Sequence, residues 1–233
     1  MTRFLGIVGS KGGIGKTTIS LNLANSLTKM KISTIAIDGD LNSPDFSMYF
    51  NNNNKHINQV NEGKESIFEI INQTESGLNY ITSSFKLDHL HSPNISKFNN
   101  SISKLMNKFE FVIVDTGSSL SKESMIVTNA CSELLLITEP NSLSVKEALR
   151  TKNIFEHFNK NFMGFIINKQ TDSKFELKSD EIKQILQLPL FGTIKKDKII
   201  NDCLHNNILS TDYSLHIDSS KSFLKIAKRL SKK

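Results

Sequence analysis

The sequence predicts an α/β fold: a doubly wound, mostly parallel sheet with helices on both faces, in a single domain over residues 1–233. Three observations carry this. Short apolar runs alternate with stretches of helical periodicity, the pattern of strands joined by helical crossovers. The run Phe111–Asp115 shows no polar alternation, so both its faces are expected to be covered. A glycine-rich segment joins the first apolar run to the first helical stretch.

The elements follow in order. Arg3–Gly9 is a short apolar run closed by glycine, a buried strand. Lys16–Met30 places Ile19, Leu23, Ala24 and Leu27 at helical spacing. Lys31–Asp38 holds Ile32, Ile35, Ala36 and Ile37 and reads as the second strand, and Leu78–Thr82 as the third. Asn94–Lys108 reads as a helix through Ile95, Phe98, Ile102, Leu105 and Met106. Leu134–Thr138 and Phe162–Asn168 repeat the strand type of Phe111–Asp115. The Asn-rich tract Asn51–Glu65 is polar. It is expected to be a surface excursion within one domain, because strand–helix alternation resumes after it.

Charge is unevenly placed. Lys and Arg number 29 against 23 Asp and Glu, a net charge of +6, which invites a polyanionic partner. Residues 218–233 hold six of the basic side chains against Asp218 alone, so the excess is mostly a property of the tail. Apolar runs fall short of the roughly 20 residues of a membrane-spanning helix. The apolar start is too short for a signal-peptide core and runs into Lys11. Cys131 and Cys203 lie far apart without CxxC spacing, which fits a reducing cytoplasm and supports neither a disulfide framework nor a zinc site.

The segment Ser10-Lys11-Gly12-Gly13-Ile14-Gly15-Lys16-Thr17-Thr18 follows the first strand and opens the first helix. That is the setting a phosphate-binding loop requires. Glycines let the backbone turn its N–H groups inward, and the helix start adds partial positive charge. Lys16 would reach the β- and γ-phosphates of a nucleotide, and Thr17 would offer its hydroxyl to Mg²⁺. The strict pattern has glycine where Ser10 stands. Carboxylates fall where parallel strands should end: Asp38-Gly39-Asp40 after the second strand and Asp115-Thr116-Gly117 after Phe111–Val114. Asp115 would hold Mg²⁺ through water. Asp38 or Asp40 would orient an attacking water.

The loop, with Lys11 as well as Lys16, resembles that of the MinD/ParA ATPases, P-loop NTPases with a deviant phosphate loop. The resemblance runs from Arg3 to about Leu230 and is nearest to archaeal MinD-like and flagellar-number MinD relatives. It implies ATP and Mg²⁺ as ligands and ATP hydrolysis that a partner protein stimulates. It implies an ATP-bound homodimer in which Lys11 reaches the other copy's phosphates. It assigns catalysis to Lys11, Lys16 and Asp40, with Asp40 placing the water and Asp38 joining Thr17 and Asp115 near Mg²⁺. Ser10 through Thr18 and Gly117 would bind the nucleotide. Leu41-Asn42-Ser43-Pro44-Asp45 continues as the family's first switch does. Asp115-Thr116-Gly117-Ser118-Ser119 departs from the family's second switch, where a proline precedes the glycine. Gly164–Lys169 resembles the family's strand whose last Asn, here Asn168, reads adenine. Leu190–Asp197 resembles the segment beyond it, with Lys195 in place of proline. Relatives that bridge a dimer with an iron–sulfur cluster need two cysteines at set positions. Cys131 is better read as a small buried residue.

In the tail, Phe223, Ile226, Ala227 and Leu230 fall on one helical face with lysines between them. A membrane-surface helix, as in bacterial MinD, is one reading; the last packed helix of the domain is the preferred one. Nonspecific DNA contact by an ATP dimer, as in ParA, ranks lower, because arginine occurs only at 3, 150 and 229. The expected location is cytoplasmic, with a peripheral place at the membrane's inner face as the variant.

Overall fold

The computed structural model describes residues 1–9, 11–41, 43–50, 55–84, 95–117 and 121–232. Ser10, Asn42, Asn51 to Asn54, Asn94, Ser118, Ser119 and Lys233, all within segments read above, lie outside the described residues.

Among the described residues eight strands form one sheet: β1 Arg3–Val8, β2 Thr34–Gly39, β3 Asn72–Gln73, β4 Asn79–Ile81, β5 Phe111–Thr116, β6 Glu133–Thr138, β7 Phe162–Gln170 and β8 Leu190–Lys195. Their order is β3-β4-β2-β5-β1-β6-β7-β8. All pairings are parallel except the short β3–β4 edge. The helices are α1 Lys16–Lys29, α2 Phe46–Tyr49, α3 Ile57–Asn61, α4 Ile95–Ser103, α5 Lys122–Asn129, α6 Ser142–His157, α7 Ser179–Leu186, α8 Lys198–His205, α9 Ser210–Tyr213 and α10 Asp218–Ser231.

Alternate residues of each central strand enter opposite cores, as the two-residue strand period requires. Phe4, Val8, Val112, Val114, Leu134 and Leu136 meet α3 to α7 on one face. Leu5, Ile7, Ile113, Leu135 and Ile137 meet α1, α2 and α10 on the other. Both faces are therefore covered, which is why the strands read as unbroken apolar runs.

Three boundaries differ from the sequence reading. The second strand starts at Thr34 rather than Lys31, because Lys31 adopts a left-handed φ of 62° and Ile32 N–H closes the end of α1 on Leu27 C=O. The helix over 94–108 ends at Ser103. Tight turns follow, Asn107 is left-handed at φ 62°, and Met106 is turned out to solvent while Leu105 stays buried. The tract 51–65 is more than an excursion: α3 inserts Ile57 and Val60 into the core and buries Asn58 and Asn61.

The winding places β2 and β4 on one side of β1 and β6 to β8 on the other. The carboxyl end of β1 thus sits at the point where the winding reverses, where open α/β sheets bind ligands.

Candidate nucleotide site

A cleft of about 860 Å³ opens at that point. Gly13 and Gly15, with φ of 71° and 95°, turn the loop that leaves β1 into α1. A Cβ on Gly15 would stand 2.4 Å from Asn168 Nδ2, so both conformation and space demand glycine there. Asn168, at the far end of β7, donates from that nitrogen to Ile14 C=O at 2.7 Å. Lys169 donates to Gly13 C=O and pairs with Glu139 Oε1 at 3.1 Å. The loop is therefore braced from β6 and β7. Lys16 is 7% exposed and lines the cleft, while Lys11 stands outside the lining and pairs loosely with Glu147 Oε2 at 3.8 Å.

The carboxylates meet through strand register, since Asp38 of β2 lies opposite Asp115 of β5. Both are fully buried. Asp38 accepts from Asp40 N–H at 3.1 Å on Oδ1 and from Phe46 N–H at 3.1 Å on Oδ2, so it shapes the turn into α2. Burial, with Asp115 beside it, holds its pKa well above the usual carboxylate value. Asp115 accepts from Ser20 Oγ at 3.1 Å on Oδ1. Burial pushes its pKa up to about 7, against the pull of the Thr17 hydroxyl and Lys16. Its Oδ2 is buried and meets no hydrogen-bond donor among the described residues.

That orphan oxygen is the test of fit for Mg²⁺. A buried carboxylate oxygen without a donor, beside a threonine hydroxyl, is a hard-oxygen setting suited to a divalent cation. The residues fit. Thr17 and Asp115 would hold the cation, which would supply positive charge to offset that of the phosphates. Lys16 and the loop amides would orient the phosphates. Asp40 lies beside the second switch: a Cβ on Gly117 would come within 3.4 Å of the Asp40 carboxyl. The two strand-end loops are thus in contact. Asp40 Oδ1 accepts from Ser43 N–H at 3.0 Å, which fixes its direction.

The profile of the CobQ/CobB/MinD/ParA nucleotide binding domain matches residues 5–209. The chain belongs to this family. An ATP-binding protein of Methanocaldococcus jannaschii, itself uncharacterized, is 24% identical over 95% of this chain and 85% of its own length. The MinD of Pyrococcus horikoshii OT3 complexed with Mg-ADP superposes with a TM-score of 0.94, at 24% identity, over 100% of this chain and 97% of that one. A chain of the MinC:MinD cell division protein complex of Aquifex aeolicus superposes with a TM-score of 0.88, at 20% identity, over 100% of this chain and 97% of that one.

Among the cleft residues given no role of their own above are Asp45, Tyr49, Glu139 and Lys169, of which Asp45 ends the first-switch stretch and Lys169 the stretch from Gly164. Asp45 Oδ2 accepts from Thr17 Oγ1 at 3.3 Å, and the Tyr49 hydroxyl bonds that of Thr18 at 2.8 Å. Glu139 and Lys169 brace the loop as described. Tyr49 left no signal, and Asp45 none beyond its place in the first-switch stretch, because their partners on α1 lie some thirty residues away. Glu139 and Lys169 stood at strand ends, where strand-end polarity was the available cue. Lys195, Lys196, Asp197, Ile200 and Asn201 also line the cleft. Lys195 pairs with Asp172 at 2.7 Å.

The apolar stripe of the tail is covered. Phe223, Ile226, Ala227 and Leu230 are buried against α1 and β8, and among the described residues no helix is long and apolar enough to cross a membrane. Cys131 is buried behind Gly6, consistent with its reading as a small core residue.

Proposed function

We propose that this chain is an ATP-driven dimerisation switch of the MinD kind, used to place other molecules within a cell. Two copies meet face to face over ATP and Mg²⁺, hydrolysis parts them, and a partner protein sets the timing. The observation that carries the reading is the division of labour between two lysines of one loop. Lys16 is sealed into the cleft, while Lys11 keeps about a third of its side chain exposed and is restrained by a surface ion pair that is cheap to break. A lysine in that position is free to reach a second copy's phosphates, where it would neutralise charge in the transition state. Asp40, beside Gly117, is the group that would direct water at the γ-phosphate. Asn168 and the Lys195–Asn201 wall would take the adenine. The MinC:MinD complex supports a protein partner.

Size-exclusion chromatography with light scattering tests this. A nonhydrolysable ATP analogue with Mg²⁺ should convert monomer to dimer. Lys16→Ala should abolish the shift, Lys11→Ala should weaken it, and Asp40→Ala should keep the dimer but lose phosphate release. A monomer under all these conditions rules the switch out.

A ParA-like reading, with DNA as the surface that the dimer rides on, is favoured only by the exposed lysines of α10. It requires an ATP-dependent, salt-sensitive gel shift.

A further inference from the structure

The hydroxyls of Thr17 and Thr18, which end the phosphate loop and open α1, are each met by a side chain from α2 or its N-cap. Asp45 and Tyr49 stand four residues apart, at the start and end of α2, and so share a side of it. Asp45 occupies the position where an aspartate ordinarily caps its own helix, yet its carboxylate makes no capping bond. The N–H of Phe46, the first residue of α2, donates to Asp38 at 3.1 Å. Asp45 is turned to the cleft, which it lines, and Oδ2 accepts from Thr17 Oγ1 at 3.3 Å. It thus engages the hydroxyl that a nucleotide-bound cation would claim.

Charge gives this contact a consequence. Asp45 and Lys16 stand close to Asp115 at the start of α1; Lys169, Lys195 and Lys196 line the cleft as well, with Lys169 and Lys195 paired to Glu139 and Asp172. A carboxylate and a phosphate are both acceptors, so Asp45 can offer a bare nucleotide only repulsion. A divalent cation between them reverses the sign of that interaction. We infer that Asp45 is a specificity residue: its carboxylate makes the cleft take the Mg²⁺–nucleotide complex and turn away the metal-free nucleotide. This rests on the nucleotide reading above. While the loop is empty Asp45 holds the Thr17 hydroxyl, and it yields that hydroxyl when a cation arrives. Tyr49, bonded to Thr18, keeps α2 seated meanwhile.

A plain tether and a specificity residue differ in one measurable respect. Loss of a tether weakens both forms of the ligand alike, whereas loss of a selective charge changes their ratio. The full-length chain is titrated with fluorescent N-methylanthraniloyl-ADP, once in excess Mg²⁺ and once in EDTA. The native chain should prefer the Mg²⁺ form. Asp45→Asn, which keeps the side-chain shape, should shrink that preference about tenfold, or about 1.4 kcal/mol, chiefly by tightening binding in EDTA. Asp45→Ser, a second uncharged variant, should shift the ratio in the same direction, with thermal melts confirming that both variants are folded. An unchanged ratio in both variants overturns the inference and leaves the nucleotide site standing. A native chain that binds in neither arm overturns the nucleotide reading together with it.

Discussion

Asp115 keeps its proton up to about pH 7 because burial outweighs the help it receives from Thr17, Lys16 and Ser20. The sign of the linkage follows. Between the ordinary value of 3.8 and about 7, the unfolded chain has released this proton and the folded chain has not. The nucleotide-free protein therefore loses stability as pH rises through that window. Asp38 acts in the same direction. Thermal melts between pH 5 and 8 should show a falling melting temperature, and Asp115→Asn should flatten the slope. Should Asp115→Asn leave the slope intact, the dependence belongs to another group. Adding Mg-ADP should flatten it too, since a cation favours the ionised carboxylate. The identities of these acids were legible in the sequence, because strand ends in parallel sheets carry ligand-binding residues. Their division of labour was not. Asp38 and Asp115 both end strands, yet one spends both oxygens on backbone amides and the other keeps an oxygen open. Only the path of the chain after β2 decides which.

Among the elements, β7 shows how a strand carries the site. Its apolar run was read correctly, but the pairing with β6 passes from Phe162 directly to Gly164, leaving Met163 as a bulge. Gly164 has φ of +156°, and a Cβ there would stand 2.4 Å from Pro189 C=O and 2.5 Å from the Phe191 ring. Gly164→Ala should cost about 2–4 kcal/mol, read by chemical denaturation, since backbone cannot step aside. The comparison is Gly63→Ala, where no atom lies within 4 Å and the cost is that of the positive φ alone, about 1 kcal/mol. The helices were less legible than the strands. α2, α3 and α9 have four, five and four residues, too few for a 3.6-residue period to show. They hold their shape through tertiary contacts, as Phe46 does with no exposed area and Phe50 does by stacking on Tyr80 at 4.0 Å.

On the scale of the whole molecule, α10 is a wall of the core. It packs against α1 and β8, and Arg3 reaches across to the Leu230 carbonyl at 2.6 Å. Phe223→Ala should destabilise the protein by about 3–5 kcal/mol, measured by denaturant unfolding. Sedimentation with anionic vesicles, with and without ATP, should leave the native chain in the supernatant, because the stripe that would enter lipid is already covered. A buried polar network joins α1 to α9. Asn22 Oδ1 accepts from Ser210 Oγ, Thr211 N–H and Thr211 Oγ1, at 3.0, 3.1 and 3.0 Å. Asn22→Ala would strand these donors and should cost about 1–3 kcal/mol in the same assay.

The sequence by itself determined the glycine-rich strand–loop–helix, the strands that surround it and the two lysines that suggest a switch. Those are local facts, written in periodicity, glycine spacing and residue order over fewer than twenty positions. Tertiary structure alone decided that Asp38 and Asp115 stand in register, that Asn168 braces the loop, that Asp45 reaches Thr17 and that the basic tail is a core helix. Each of these depends on segments distant in the chain meeting in space. An amphipathic stripe such as Phe223 to Leu230 has the same pattern whether it lies on lipid or on a sheet, and only the apolar face that covers it distinguishes the two.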